Sequence, residues 1–589
     1  MKGVGYMLET PILLSYPGEC IMSYNNFKAA LYCPVQNLID IEDTAAFARE
    51  FSFLEKHVKL SKVYLETYRG GVIISREKIK ELIAFFQSRG IKTSGGITTD
   101  TSPGGEGGFD PFCYTDPETR EKLRDIVIFT AGLFDEIILD DFFFTNCKCE
   151  RCIAEKSGQS WVDFRLKLMK EVSEDVIVGP AKSVNPGINM IIKYPNWYEH
   201  YQECGYNLLE QPGIFDSIYT GTETRNPAYT QQHLPKYTGY FLFRYLENVA
   251  PGRNLGGWFD PYECSYNLTS YADQAYLTLL AKAGEATLFC LGSLLEPAYS
   301  LFAPVAGRAF SDMDEIVPKL GSPKGIACYV PYHSRGEDYL HDYIGMLGIP
   351  LEPYPQYPEG AGSIFLTESA AHDPCVIKKL EQSLLDGADV VVTSGFIKHS
   401  SPGFQKIANI SCTGRSAKVS GYAYSDNGGV FFGGLATGSD EIIIPQLEYP
   451  TNDVWEIAGA FGCDNSFPML LKTLYGKGRL WILTVPDDWG GLYSLPKEVL
   501  RPIRQAFCRN LGIVFDGPAN VALFAYDNDT IVLRSFLPYY DTGRLTVPGE
   551  GRIMKDIQTG EETAGAASKG ETVFDVRLMP GINRFLGFK

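Results

Sequence analysis

Between about Asn26 and Ile316 the sequence alternates short apolar runs with longer stretches of helical periodicity, eight times in succession. A buried strand followed by an amphipathic helix, repeated in this way, makes parallel βα units. Eight of them in a stretch of this length suit a closed (β/α)8 barrel with modest insertions. Strands are expected at Lys28–Cys33, Val63–Leu65, Lys92–Thr98, Glu136–Phe142, Asn189–Ile192, Phe215–Tyr219, Leu255–Phe259 and Ala286–Cys290. Helical patterns lie between them, such as Arg76–Arg89, which Gly90 terminates as a C′ glycine. The third strand opens into a glycine-rich loop, SPGGEGGF.

At 589 residues the chain exceeds what one core supports. Near Gly321 the pattern restarts with the apolar run Gly325–Val330. Asp389–Gly395 and Gly478–Leu483 read as further buried strands, which together give an open flavodoxin-like or amidotransferase-like α/β sheet with a β-rich insertion at Gly414–Glu448. From Gly517 onward alternating short strands and turns give a small β-sandwich. The expected division is a barrel over 1–317, an α/β domain over 318–516 and a sandwich over 517–589.

A net charge of -18 argues against nucleic acid or an anionic membrane as partner, since both select basic patches. It leaves a neutral substrate open. Aromatic residues make up 13% of the chain, which serves large cores or sugar-stacking platforms equally well. Glu9, Pro11, Pro17 and Glu19 interrupt any apolar N-terminal run, and nothing approaches a membrane span. A cytoplasmic protein is expected, unless a leader has been trimmed. The 14 cysteines lack paired spacing, which suits reduced thiols plus one metal site.

That site belongs to the stretch Phe134–Cys152. Ile137, Ile138 and Leu139 form a buried strand that ends in Asp140 and Asp141, and Cys147, Cys149 and Cys152 follow. Three thiolates within six residues need a fourth for tetrahedral zinc. Cys113, on the neighbouring loop, supplies it, and a site closed by four protein ligands is structural.

Acids at the ends of barrel strands are the catalytic candidates, because a glycosidic bond is cleaved between two facing carboxyl groups. They are Glu66, Asp140, Asp141, Glu223, Asp260 and, in a loop before Pro297, Glu296. Strand alternation sends Asp140 and Asp141 to opposite sides without deciding which is inward. Glu223 reads either as catalytic or as a solvated partner of Arg225. Asp260 follows Trp258, whose ring suits a sugar face, yet Asp260-Pro261 is also an ordinary turn start. Lys193, Tyr194, Trp197 and Arg225 are candidate substrate binders, with Glu66 and Trp258. No GxSxG elbow, Walker A loop, GxGxxG turn or HExxH helix is present.

An acid ending strand four, Cys-x-Cys-x-x-Cys just after it and a cysteine upstream resemble the family 42 β-galactosidases. The resemblance implies a barrel, an amidotransferase-like trimerisation domain and a β-sandwich. It places Cys113, Cys147, Cys149 and Cys152 as zinc ligands and Asp141 as the acid/base. That family has Asn-Glu where this chain has Asp140-Asp141, and its strand-seven nucleophile is Glu where this chain has Asp260. An acid on strand six is instead similar to α-galactosidase-type barrels, which implies attack by Asp140 or Asp141 with Glu223 as acid/base.

The sequence therefore leads to a glycoside hydrolase, exo-acting and retaining, that takes a terminal sugar from an oligosaccharide and forms a homodimer or homotrimer. The contrasting reading is a non-catalytic carbohydrate-binding protein on a degenerate barrel. A metal-dependent hydrolase would need an open zinc position, which four cysteines deny it.

Overall fold

The computed structural model describes residues 23–102, 110–400, 402–425, 433–462 and 464–589. The N-terminal segment, the bulk of the glycine-rich loop and residues 426–432 of the β-rich insertion lie outside these.

Eight parallel strands close into a barrel: β1 (Lys28–Cys33), β2 (Leu60–Arg69), β3 (Lys92–Ile97), β4 (Glu136–Leu139), β5 (Asn189–Tyr194), β6 (Ser217–Gly221), β7 (Asn254–Phe259) and β8 (Glu285–Phe289). Closure comes from β1, which pairs with β2 on one side and β8 on the other. The helices between them start where a side chain satisfies the orphan N–H groups of the first turn. Asp43 caps Thr44–His57, Ser75 caps Arg76–Ser88, Ser160 caps Trp161–Val172 and Asn267 caps Leu268–Leu280.

Period 2 sends alternate residues of each strand into the barrel, where Tyr32, Tyr64, Ile138, Ile191, Tyr219 and Trp258 pack together. Their bulk requires small neighbours. A Cβ at Gly96 would stand 2.7 Å from the Tyr32 hydroxyl oxygen, so β3 carries glycine at that level. The inward set also includes polar residues at the barrel floor, where Lys62 pairs with Glu136 at 2.7 Å and with Glu285 at 2.8 Å.

Two strands depart from their expected bounds by three or more residues at an end. β2 runs four residues beyond Leu65 to Arg69, placing Glu66 inside the strand rather than past it. β4 stops at Leu139, because the backbone turns and the Phe143 N–H closes onto the Asp140 carbonyl at 3.2 Å.

Beyond the barrel, five parallel strands lie in the order Leu351–Tyr354, Ile326–Tyr329, Ser363–Leu366, Asp389–Thr393, Gly478–Leu483. In chain order this is 2-1-3-4-5, the flavodoxin arrangement. The same sheet continues antiparallel through Asn465–Tyr475, Trp455–Gly462, Ser411–Tyr424 and Gly434–Glu448. At the C-terminus a six-stranded and a four-stranded sheet enclose Leu523, Leu533, Leu545, Phe574 and Leu586. The six-stranded sheet recruits Pro323–Lys324 as an edge strand against Val521–Tyr526.

Candidate active site

A cavity of about 340 Å³ opens at the C-terminal mouth of the barrel, inside the range of about 300–1,000 Å³ typical of small-molecule sites. Its centre is Lys193, delivered inward by β5 and almost wholly buried. The ammonium lies 2.7 Å from Asp141 Oδ2, 3.5 Å from Asp140 Oδ1 and 3.5 Å from Glu223 Oε1. It also stands 4.3 Å from the centre of the Trp258 ring. One cation thus holds three carboxylates over an aromatic floor.

Asp140 shares the inward side of β4 with Ile138, so the inward register belongs to Asp140. The expectation that Asp141 points the other way fails because the strand has already ended. Asp140 Oδ1 accepts the N–H of Asp141 at 2.8 Å, and the turned backbone brings Asp141 round to the same lysine. Asp140 is fully engaged, since Oδ2 also accepts from Arg69 at 2.8 Å and Thr98 at 3.2 Å. Burial alone would raise its carboxyl, but Lys193 and Arg69 outweigh that and hold it down at about 2. Asp141 moves the other way. Burial, joined by repulsion from Asp140 and Glu223 and opposed by Lys193, pushes it up to about 7.

Glu223 follows β6, and its side chain folds back over Gly221, where a Cβ would stand 2.9 Å from Oε2. It is buried rather than a solvated partner of Arg225, which corrects that alternative. Burial raises its carboxyl, Lys193 opposes this and Asp260 adds to it. Among the described residues Oε2 has no hydrogen-bond partner, an exception for a buried carboxylate oxygen. The Asn196 amide meanwhile binds the Glu223 carbonyl and, at 3.0 Å, Gln232.

Arg225 belongs to Asp260 instead. Its guanidinium makes a fork to both Asp260 oxygens at 2.8–3.3 Å. Arg225 adopts φ of +54°, a conformation unusual outside glycine, and its N–H is tied to Gln274 Oε1 at 3.1 Å. Trp197 and Trp258 line the cavity, joined by Phe142, Tyr262 and Phe289.

Glu66, Tyr194 and Glu296 stand apart from it. Glu66 is fully buried beneath Arg69 and accepts from Tyr32 and the Val35 N–H at 2.7 Å, as well as from Arg69 and Thr98. Tyr194 is enclosed by Tyr201 and Tyr206, and Glu296 is exposed after β8. Arg69 was missed in the sequence because β2 was ended four residues early; its place at the true strand end was the available signal. Asn196, three residues after Lys193, carried no comparable mark.

The four cysteines come together beside the mouth. The Sγ atoms of Cys113, Cys147, Cys149 and Cys152 all lie within 4.8 Å of one another. Cys113 is 3.7 Å from Cys149 and 3.8 Å from Cys152. A tetrahedron of sulfurs about 2.3 Å from a central zinc has edges of about 3.8 Å, so this donor set fits a metal ion.

Residues 18–329 match the family model described as probable glycosyl hydrolase, catalytic domain. Residues 321–488 match the second domain of uncharacterized protein SSO3021, and residues 512–585 match a probable glycosyl hydrolase C-terminal domain. Uncharacterized protein SSO3021 of Saccharolobus solfataricus is 27% identical over 366 residues, covering 55% of this chain and 60% of that protein. Among solved structures, a β-galactosidase from Bacillus circulans sp. alkalophilus superposes with a TM-score of 0.64 at 11% identity, over 95% of this chain and 98% of that one. Gan42B, a GH42 β-galactosidase from G. stearothermophilus, gives 0.62 at 12% identity over 96% and 99%. The exo-β-1,4-mannosidase Op5Man5 from Opitutaceae bacterium strain TAV5 gives 0.51 at 11% identity over 78% and 91%. At these identities the structural likeness is one of fold. The family match covers more than half of the chain, which belongs to the family described as probable glycosyl hydrolase, catalytic domain.

Proposed function

We propose that this hydrolase removes a terminal, uncharged sugar from an oligosaccharide with retention of configuration, using Asp141 as nucleophile and Glu223 as acid/base. The observation that carries this reading is the bridge through Lys193. A triangle with sides of 2.7 and 3.5 Å at its ammonium limits the nearest Asp141 and Glu223 oxygens to at most 6.2 Å. Inverting pairs, with carboxyl groups about 6.5–9.5 Å apart, need room for a water between them, and one ammonium that reaches both acids favours the about 5–5.5 Å of a retaining pair.

The roles follow from the partners of each carboxyl. Asp140 and Asp260 have both oxygens committed, to Arg69, Thr98 and backbone in one case and to Arg225 in the other. Asp141 and Glu223 retain reactive capacity. Lys193 lies closer to Asp141, so the charge of the pair favours Asp141 and the proton favours Glu223 Oε2. Asp141 attacks the anomeric carbon while Glu223 protonates the departing glycosidic oxygen, forming a covalent glycosyl ester. Glu223 then takes a proton from water as that water attacks, and Asp141 leaves. Asp140, permanently charged, and Lys193 fix the field around the reacting pair. The Trp258 ring floors the cavity for the apolar face of the sugar.

We assign zinc to the four-cysteine site, on the strength of its donor chemistry and sulfur spacing. Bound there it would supply a fixed tetrahedral crosslink. The chain's own part is to join the loop after β3 to the loop that follows Asp141.

The test is a panel of 4-nitrophenyl α- and β-glycosides of galactose, mannose, glucose, xylose and fucose, with proton NMR of the first-formed anomer. Asp141→Asn and Glu223→Gln should each lower kcat by about 10²–10⁴-fold. Asp260→Asn should lose markedly less. Loss at Asp260 equal to that at Asp141, or a product of inverted configuration, overturns the assignment.

A further inference from the structure

Outside the cavity, two loops of the barrel mouth end in a pair of exposed tyrosines that the catalytic reading does not use. Tyr229 lies on the loop after β6 and is 56% exposed. Tyr266, on the loop after β7, is 78% exposed. Their rings meet with centroids 4.7 Å apart and planes inclined at 31°. Burial does not account for such a pair, since the rings cover little besides each other.

The loops that carry them are anchored at their bases. Arg225 and Asp260 join them through the guanidinium–carboxylate fork, and Gln274 holds both, accepting the Arg225 N–H at 3.1 Å and donating to the Asp260 carbonyl at 2.9 Å. Tyr229 is four residues from Arg225, a reach of at most about 14 Å. The tyrosine pair is therefore confined to the neighbourhood of the cavity rim. Tyr262, on the Tyr266 loop, connects the two regions. It lines the cavity, meets Phe289 edge-on at 6.0 Å and lies 5.7 Å from the Arg225 guanidinium. The loop after β7 thus carries one aromatic residue in the cavity wall, Tyr262, and another, Tyr266, four residues further along.

We propose that Tyr229 and Tyr266 form an aglycone platform, taking the third and later rings of an oligosaccharide whose terminal ring occupies the cavity. The occupant is a sugar chain rather than a peptide or a second copy of this protein. Both loops start at cavity-lining residues, Arg225 and Asp260, and tyrosine offers both an apolar face to sugar C–H groups and a hydroxyl to their polar edge. Holding the loops at their bases preorganises the rings, so little ordering is required when the chain binds. This inference rests on the glycoside hydrolase site described above and extends its substrate class to chains of three or more sugars.

The experiment compares disaccharides with tetrasaccharides of the galacto-, manno-, cello- and xylo- series, using the full chain. For the series that is cleaved, the ratio of kcat/KM for tetrasaccharide over disaccharide should fall about tenfold in Tyr266→Ala and in the Tyr229→Ala/Tyr266→Ala pair, mainly through KM. Tyr266→Phe should keep most of the ratio. An unchanged ratio, with cleavage intact, overturns the platform while leaving the catalytic assignment standing. If the wild type cleaves neither these oligosaccharides nor any aryl glycoside, the catalytic reading fails and the platform fails with it. Sedimentation of the double variant at a lower mass than wild type would instead make the pair a contact between copies, which also overturns the proposal.

Discussion

At the scale of single residues the site is governed by one buried lysine among acids. Three carboxyl groups this close around one buried ammonium cannot all stay charged. Asp140 is held ionised by Lys193 and Arg69, whereas Asp141 and Glu223 are both raised. In the proposed mechanism Asp141 must be charged to attack. Burial and the neighbouring acids push its carboxyl up to about 7, so kcat/KM should fall as pH drops below about 7 and the nucleophile takes up a proton. On the alkaline side activity should fall when Glu223 loses the proton it delivers. Replacing the lysine, as in Lys193→Met, removes the charge that holds Asp141 ionised, and the acid limb should move to higher pH. A pH–rate profile of wild type and variant reads this directly. An acid limb left in place by Lys193→Met would show that the lysine does not set the nucleophile's charge.

At the scale of elements, the parallel strands were legible because burial on both faces makes them short apolar runs, and the helices because their caps and periodicity agree. Less legible was where a strand hands over to its loop. Asp140 and Asp141 obey alternation only while the backbone stays extended, and the turn that starts at Asp140 brings both to Lys193. The Arg225–Asp260 fork was equally hidden, since it joins residues from separate strands and no local spacing marks it. The cysteines, by contrast, could be read from spacing because ligand geometry constrains sequence. They bring the loop carrying Cys147 together with Cys113 on the neighbouring loop, and the backbone running into the Cys147 loop begins at Asp141. Removing zinc with a chelator should therefore lower the unfolding midpoint by about 5 °C, and kcat/KM should fall with it until zinc is restored. Elemental analysis of the purified chain should give about one zinc per chain. Full activity and an unchanged midpoint after complete metal removal would count against a structural role for the site.

At the scale of the whole molecule, the three bodies are joined by buried polar ties as well as by apolar contact. Arg244 on the barrel pairs with Glu352 of the flavodoxin-like sheet at 2.7 Å. Arg504, fully buried, donates to the carbonyls of Leu347, Gly517 at 2.6 Å and Pro518 at 2.9 Å, tying that region to the sandwich. Barrel and sandwich meet through Asp273, which receives Arg534 from the sandwich and Lys236 from the barrel itself. These three charges are unequal in what their loss leaves behind. Arg534→Met leaves Asp273 still paired with Lys236. Asp273→Asn strands two cations, of which Arg534 keeps a neutral partner in Asn583 at 2.8 Å. Breaking a buried pair from one side costs about 3–5 kcal/mol, because the remaining charge is uncompensated. Asp273→Asn should therefore reach the upper part of that range and Arg534→Met the lower part or less, measured as loss of unfolding free energy in urea. The double variant should lose less than the two single losses combined, since no stranded arginine remains. Equal losses in the two single variants, or strict additivity in the double, would mean that the barrel–sandwich contact rests on apolar packing rather than on this triad.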